Sequence, residues 1–144
     1  MTAALKSGGA GSYEFGTIDT TKFTGQLTNV SVDSSNGFWQ FDSASFAVGN
    51  GQVQQITQAP TAIMDTGTTL MLVSPEVAKA YYSQVEGAQE SNQAGGFIFP
   101  CNETLPTLSI AVGDQNMATV PPNVLSFSEA GTDTTTGQTC KQST

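Results

Sequence analysis

The stretch Ala62–Leu72 reads Ala-Ile-Met-Asp-Thr-Gly-Thr-Thr-Leu-Met-Leu, an aspartate in a Thr-Gly turn between two short apolar runs. Strand-like apolar runs enter a core, and an ionised carboxylate carried in with them costs several kcal/mol unless hydrogen bonds or a charge partner compensate. The fold must therefore bring donors to Asp65. Gly67 lets the backbone turn sharply and approach a neighbour, while Thr66, Thr68 and Thr69 supply hydroxyls within reach of the acid.

The rest of the chain predicts a mainly β fold. Strands are expected over residues 2–5, 12–18, 26–32, 38–48, 52–57, 97–101, 105–112, 118–120 and 124–127, with the first of them on the inside. Asn36-Gly37 and Asn50-Gly51 mark tight turns. No strand in the first half is a continuous apolar run, which favours antiparallel sheets over parallel ones. Pro121-Pro122 belongs at an edge or corner. One helix is expected near 75–86: Ser74 can cap it, Pro75 suits its first position, and Glu76 suits its positive end. Val77, Ala80, Tyr81 and Val85 give it an apolar face, Tyr81 and Tyr82 are packing residues, and Gly87 ends it. Residues 89–96 and 131–137 read as polar loops. With 144 residues, no internal repeat and no linker, the chain forms a single domain over 1–144.

Composition then removes whole classes of chemistry. Histidine is absent, which excludes Ser-His and Cys-His nucleophile pairs within the chain. Two cysteines are too few for a Cys-only zinc site, so no metal and no cofactor is expected. Hydrolysis here must run on carboxylates or a lone hydroxyl. The formal charge of −8 comes from 12 acids against four basic residues and repels phosphate backbones, so nucleic acid is not an expected partner. The same surface repels itself near neutrality and relaxes as carboxylates protonate, which suits an acidic working environment. No apolar run reaches the roughly 20 residues of a membrane span. The opening Met1–Lys6 lacks the charged start and apolar stretch of a signal peptide, so it reads as a start inside a longer precursor.

Several runs carry a resemblance. The Asp-Thr-Gly-Thr-Thr of residues 65–69, preceded by two apolar residues, is similar to the catalytic loop of pepsin-like aspartic proteases. Phe15-Gly16-Thr17-Ile18-Asp19, Phe23-Thr24-Gly25, Gly37-Phe38-Trp39-Gln40, Phe97-Ile98-Phe99-Pro100-Cys101 and Leu105-Pro106-Thr107-Leu108 follow in the order of the C-terminal lobe of the fungal members. An isolated Asp-Thr-Gly is also an ordinary turn start; the ordered set over nearly the whole chain is what separates the two readings. Asp19 is read as a turn cap and not as a second catalytic acid.

The resemblance implies a single lobe of the pepsin-like acid protease fold, incomplete at its C-terminus. It implies Asp65 as one half of a catalytic dyad in which two carboxylates share a proton, one acting as base on a water and the other as acid. Thr66 would brace the loop against its counterpart, Gly67 would permit close approach, the Thr68 hydroxyl would orient the carboxylate, and Thr69 would lie along the substrate groove. A whole enzyme has two such loops, and this chain has one. Ile110-Ala-Val-Gly113 looks like the family's apolar-apolar-Gly strand but falls at an earlier hairpin. The expected partners are therefore an N-terminal lobe with the second Asp and a polypeptide substrate, a homodimer being the alternative source of a second acid. The isolated chain is expected to be inactive. A non-enzymatic pepsin-like domain that binds protein or glycan is the competing reading.

Cys101 and Cys140 are either two separate thiols or a disulfide, which would close a loop of roughly 40 residues and constrain the unfolded chain by about 4 kcal/mol. Asn29-Val-Ser31 and Asn102-Glu-Thr104 fit the N-glycosylation pattern. Together these features point to a secreted protein, with a vacuole as the alternative compartment.

Overall fold

The computed structural model describes residues 1–126, 128–132 and 139–143. Its strands are β1 (Thr2–Ala4), β2 (Ser12–Glu14), β3 (Gln40–Asp42), β4 (Ser45–Val48), β5 (Gln54–Gln55), β6 (Thr61–Ile63), β7 (Gln89–Ser91), β8 (Gly96–Pro100), β9 (Leu108–Val112), β10 (Asn116–Val120), β11 (Ser128–Thr132) and β12 (Thr139–Ser143). The helices are α1 (Pro75–Tyr82) and the single-turn α2 (Pro122–Leu125). The strands make two four-stranded sheets, ordered β10-β9-β4-β5 and β11-β12-β8-β7, and two small pairs, β1-β2 and β3-β6. Every pairing is antiparallel. The mainly β expectation with a short helix near 75–86 is thus met.

The core lies where α1 crosses the larger sheets. Val77, Tyr81, Tyr82 and Val85 turn inward onto Phe46 and Val48 of β4, Phe99 of β8, and Leu105, Leu108 and Leu125. Tyr82 stacks on Phe97 with ring centroids 4.4 Å apart and meets Tyr81 edge-on at 5.0 Å. Tyr81 keeps its hydroxyl satisfied by donating to the Pro106 carbonyl at 2.8 Å, and burial pushes its pKa up. Both tyrosines are packing residues, as the helical spacing predicts.

Helical geometry ends sooner than expected, at Tyr82. The chain then descends through tight turns, in which Gln84 and Val85 donate to the carbonyls three residues back. Gly87 closes this descent with φ +72°, and a Cβ there would stand 2.9 Å from the Pro100 ring, so the residue must be glycine on two counts. The cap differs too. Ser74 makes no side-chain capping bond, and its buried Oγ has no partner among the described residues; the Ser74 carbonyl accepts from Ala78.

Other segments depart from the alternation read in the sequence. Residues 26–32 form no strand. Leu27 and Val32 are exposed, and Val30 instead packs over Gly113, where a Cβ would meet it at 2.8 Å. β1 is not an inner strand, since among the described strands it pairs with β2 alone. The expected strand 12–18 stops at Glu14, and 38–48 breaks at Ser43-Ala44 into β3 and β4. Residues 89–91 pair as β7 instead of looping out. Residues 122–125 are helical because Pro122 begins a turn in which Ser126 donates back to its carbonyl; Phe127 and most of the expected loop 131–137 lie outside the described residues.

The tight turns are where they were expected. Asp33 and Gln40 exchange backbone hydrogen bonds around Asn36-Gly37, and Gly51 donates to the Val48 carbonyl at Asn50-Gly51. Asp19 caps the 3-10 turn Thr20–Lys22 by accepting from the Thr21 amide at 2.9 Å.

Phe99 is 1% exposed at the centre of this core. Phe99→Ala is expected to cost about 3–5 kcal/mol, a large fraction of a small domain's stability. Leu27→Ala, at an exposed site, should stay within about 0.5 kcal/mol. Urea unfolding of the two variants checks the contrast.

Candidate active site

β6 carries the chain to the elbow. Thr61, Ala62 and Ile63 pair with Asp42, Phe41 and Gln40 of β3, and Phe41 is buried behind them. Two further bonds fix the pair in the body of the molecule: Ser43 donates to the Pro60 carbonyl and Gly113 to the Asp42 carbonyl, both at 2.8 Å. Three residues beyond the end of β6 the backbone turns at Thr66-Gly67.

At that turn the Asp65 carboxylate accepts two hydrogen bonds. The Gly67 amide donates to Oδ1 at 2.8 Å, and the Thr68 hydroxyl donates to Oδ2. The Thr68 hydroxyl, followed by the Gly67 amide, holds the Asp65 carboxyl below its ordinary value. Gly67 does not adopt a left-handed φ. Its requirement is spatial: a Cβ on it would lie 3.2 Å from Asp65 Oδ1, crowding the oxygen that its own amide binds.

Thr66 and Thr69 are exposed, and their hydroxyls make no hydrogen bond to a described residue. Thr69, with Asp65 and Thr68, lines a trough of about 610 Å³. The trough runs between the 61–74 segment and the strands β9 and β10, and its walls are mostly apolar, including Ile63, Leu70, Leu72, Ile110 and Val120. Asp65 is the one acid among the described residues that line it.

The site face is open. Asp65 is exposed, and its neighbours Met64 and Leu72 are 84% and 81% exposed. Large apolar side chains on both sides of a carboxylate make a face suited to being covered. Asp65 is thus an exposed carboxylate that lines an apolar trough.

Asn29, Asn102 and Cys101 do not line the trough. Asn29 and Asn102 are both exposed. Cys101 is a free cysteine among the described residues. The β12–β8 register sets Cys140 opposite Pro100, next to Cys101 in the chain; the Cys140 side chain lies outside what the structure describes. No group of three or more metal-ligating side chains occurs among the described residues, and no helix there is long and apolar enough to cross a membrane.

Sequence reasoning missed Glu76. Its carboxylate accepts from the Thr57 amide at 2.6 Å, the Thr57 hydroxyl at 2.8 Å and the Gln58 amide at 2.9 Å. The Gln58 amide leads the bonds that hold its pKa below the ordinary glutamate value. A Glu in a first helical turn signals only a favourable helix end; nothing in the sequence says that it reaches a loop 18 and 19 residues earlier.

Comparison with known proteins bears on the whole chain. It is 57% identical over 139 residues to an aspergillopepsin A-like aspartic endopeptidase of Aspergillus fumigatus, covering 96% of this chain and 32% of that protein. It is 49% identical over 140 residues to aspartic protease PEP3 of Coccidioides posadasii, covering 96% of this chain and 32% of that one. Aspergillopepsin-1 of Aspergillus oryzae is 43% identical over 140 residues, with 95% and 34% covered. The chain thus spans about a third of the length of these relatives. The sequence model of the eukaryotic aspartyl protease family matches residues 2–143. This chain belongs to the eukaryotic aspartyl protease family.

Proposed function

We propose that this chain is the C-terminal lobe of a two-lobed, secreted aspartic endopeptidase, and that it contributes Asp65 to peptide-bond hydrolysis at acidic pH. The observation that carries the reading is the elbow: one carboxylate, oriented by Thr68 and Gly67, at the rim of an apolar trough. A lone carboxylate held below its ordinary pKa serves as a base. The acid role needs a second carboxylate close enough that the two share one proton, which raises one pKa and lowers the other.

In the proposed reaction the N-terminal lobe brings that second Asp over the trough. The ionised carboxylate takes a proton from a water as the water oxygen attacks the peptide carbonyl, and the protonated partner gives its proton to the carbonyl oxygen. The C–N bond of the resulting gem-diol then breaks as the first carboxyl passes its proton to the leaving nitrogen and a gem-diol hydroxyl returns its proton to the second carboxylate. Gly67 and Thr68 hold the Asp65 oxygens toward the water throughout. Thr66 braces the two loops, and Thr69 contacts the polypeptide along the groove. The exposed Asn29 and Asn102 accept glycans, and Cys101 pairs with Cys140 in the secreted form.

Three results are expected. The chain alone cleaves no denatured protein at acidic pH, because it has one carboxylate for two roles; pepstatin-sensitive cleavage by the pure chain would contradict this. In the complete two-lobed enzyme, Asp65→Asn lowers kcat by about 10²–10⁴-fold while circular dichroism stays unchanged. Retained turnover with a normal fold would remove Asp65 from the chemistry and favour a binding role for the domain.

The third result concerns pH. The Asp65 pKa is lower in the folded chain than in the unfolded one, so its bonds stabilise fully above the unfolded value and are lost as pH falls through the folded value. Wild type should therefore lose stability relative to Asp65→Asn as pH drops below about 4. Parallel urea titrations of the two proteins from neutral to acidic pH test the sign.

A further inference from the structure

Between β5 and β6 the chain turns a corner that neither sheet holds. Ile56 donates to the Ala44 carbonyl at 2.8 Å, and that is its last backbone bond to the β4 side. Ala59 then takes φ +52°, the one non-glycine residue with positive φ among those described. This region disfavours L side chains, and such a residue persists only where its surroundings fix it. Thr61 donates back to the Ala59 carbonyl at 2.8 Å across Pro60, completing a tight corner that delivers the chain into β6.

Downstream of the corner the anchors are Ser43 on the Pro60 carbonyl and the β3 pairing of β6. Upstream the anchor is Glu76. Its two carboxylate oxygens take both backbone amides and the Thr57 hydroxyl of Thr57-Gln58, the residues immediately before Ala59. Glu76 lies in the first turn of α1, which is itself locked into the core through Val77 and Tyr81. The segment 57–76 leaves the body, forms the corner, β6 and the Asp65 elbow, and returns as α1. Glu76 ties the two ends of that excursion together at its base.

We propose that Glu76 is a positioning residue for Asp65: by clamping Thr57-Gln58 to the start of α1 it holds the strained Ala59 corner, and so sets where β6 delivers the catalytic elbow. The kinetic part of this inference rests on the proteolytic reading above; the structural part does not. Glu76 does not touch the reacting atoms and takes no part in proton transfer. Its effect is geometric, and displacements of about 1 Å in a reacting group can cost up to roughly 10²-fold in rate.

The test has two arms. In the 144-residue chain, amide hydrogen exchange is measured for wild type, Glu76→Gln, Glu76→Ala and Thr57→Val. Thr57→Val removes one clamp bond and leaves both backbone donors, so it reports even where Glu76→Ala fails to fold. Glu76→Ala is expected to speed exchange of the β6 and Gly67 amides about tenfold or more while the β9 amides stay slow, with Glu76→Gln and Thr57→Val intermediate. Faster exchange confined to Thr57 and Gln58, or spread evenly over the chain in all three variants, would overturn the proposal.

In the complete two-lobed enzyme, Glu76→Ala should lower kcat about tenfold with KM little changed, and Glu76→Gln should recover part of the loss. An unchanged kcat would overturn the positioning role. Normal activity in Asp65→Asn would instead overturn the proteolytic reading, leaving the exchange arm to judge the clamp.

Discussion

Two hydrogen bonds to one carboxylate, from the Gly67 amide and the Thr68 hydroxyl, are the constraint on which the site depends. Both donors lie within three residues of Asp65, so the turn Asp-Thr-Gly-Thr makes its own anion cradle without help from the core. The core supplies direction. α1 packed on β4 and β8 fixes one end of the excursion 57–76, and β3 fixes β6 within it. A locally satisfied charge can therefore stand at the rim of an apolar trough without the desolvation cost of full burial.

The exposed apolar surface follows from the same arrangement. Met64 and Leu72 flank the elbow, and Trp39 and Phe38 lie exposed close to β3, with Phe15 exposed just past β2. A small domain with this much aromatic and aliphatic surface open to water is suited to association. The proposed counterpart lobe would cover the trough and bring a second acid to Asp65 in one step. That coupling would make activity conditional on assembly, because neither lobe could divide a proton alone.

Much of this was legible in the residues, and the failures have physical causes. Asn36-Gly37, Asn50-Gly51 and the Ser74-Pro75 start with its periodic face are local signals, set by backbone sterics and a single buried stripe. The elbow was legible for the same reason, since its donors are near neighbours in sequence. Leu27, Val30 and Val32 suggest a strand over 26–32, but apolar positions supply no partner edge, and Val30 packs against Gly113 instead. Pro122 turned an expected strand into a helical turn. The Glu76 clamp joins residues far apart in sequence, and the positive φ at Ala59 has no glycine to announce it. Contacts of this kind arise from tertiary packing, which local pattern does not encode.

The account turns on whether Asp65 titrates as half of a pair when its counterpart arrives. Carbon-13 NMR of the Asp65 carboxyl, with and without the separately prepared N-terminal lobe, measures this directly. Alone, the carboxyl should titrate in one step below its ordinary value; with the other lobe bound, it should titrate in two steps shared with the second Asp. A single unchanged step in the assembled enzyme would contradict the account.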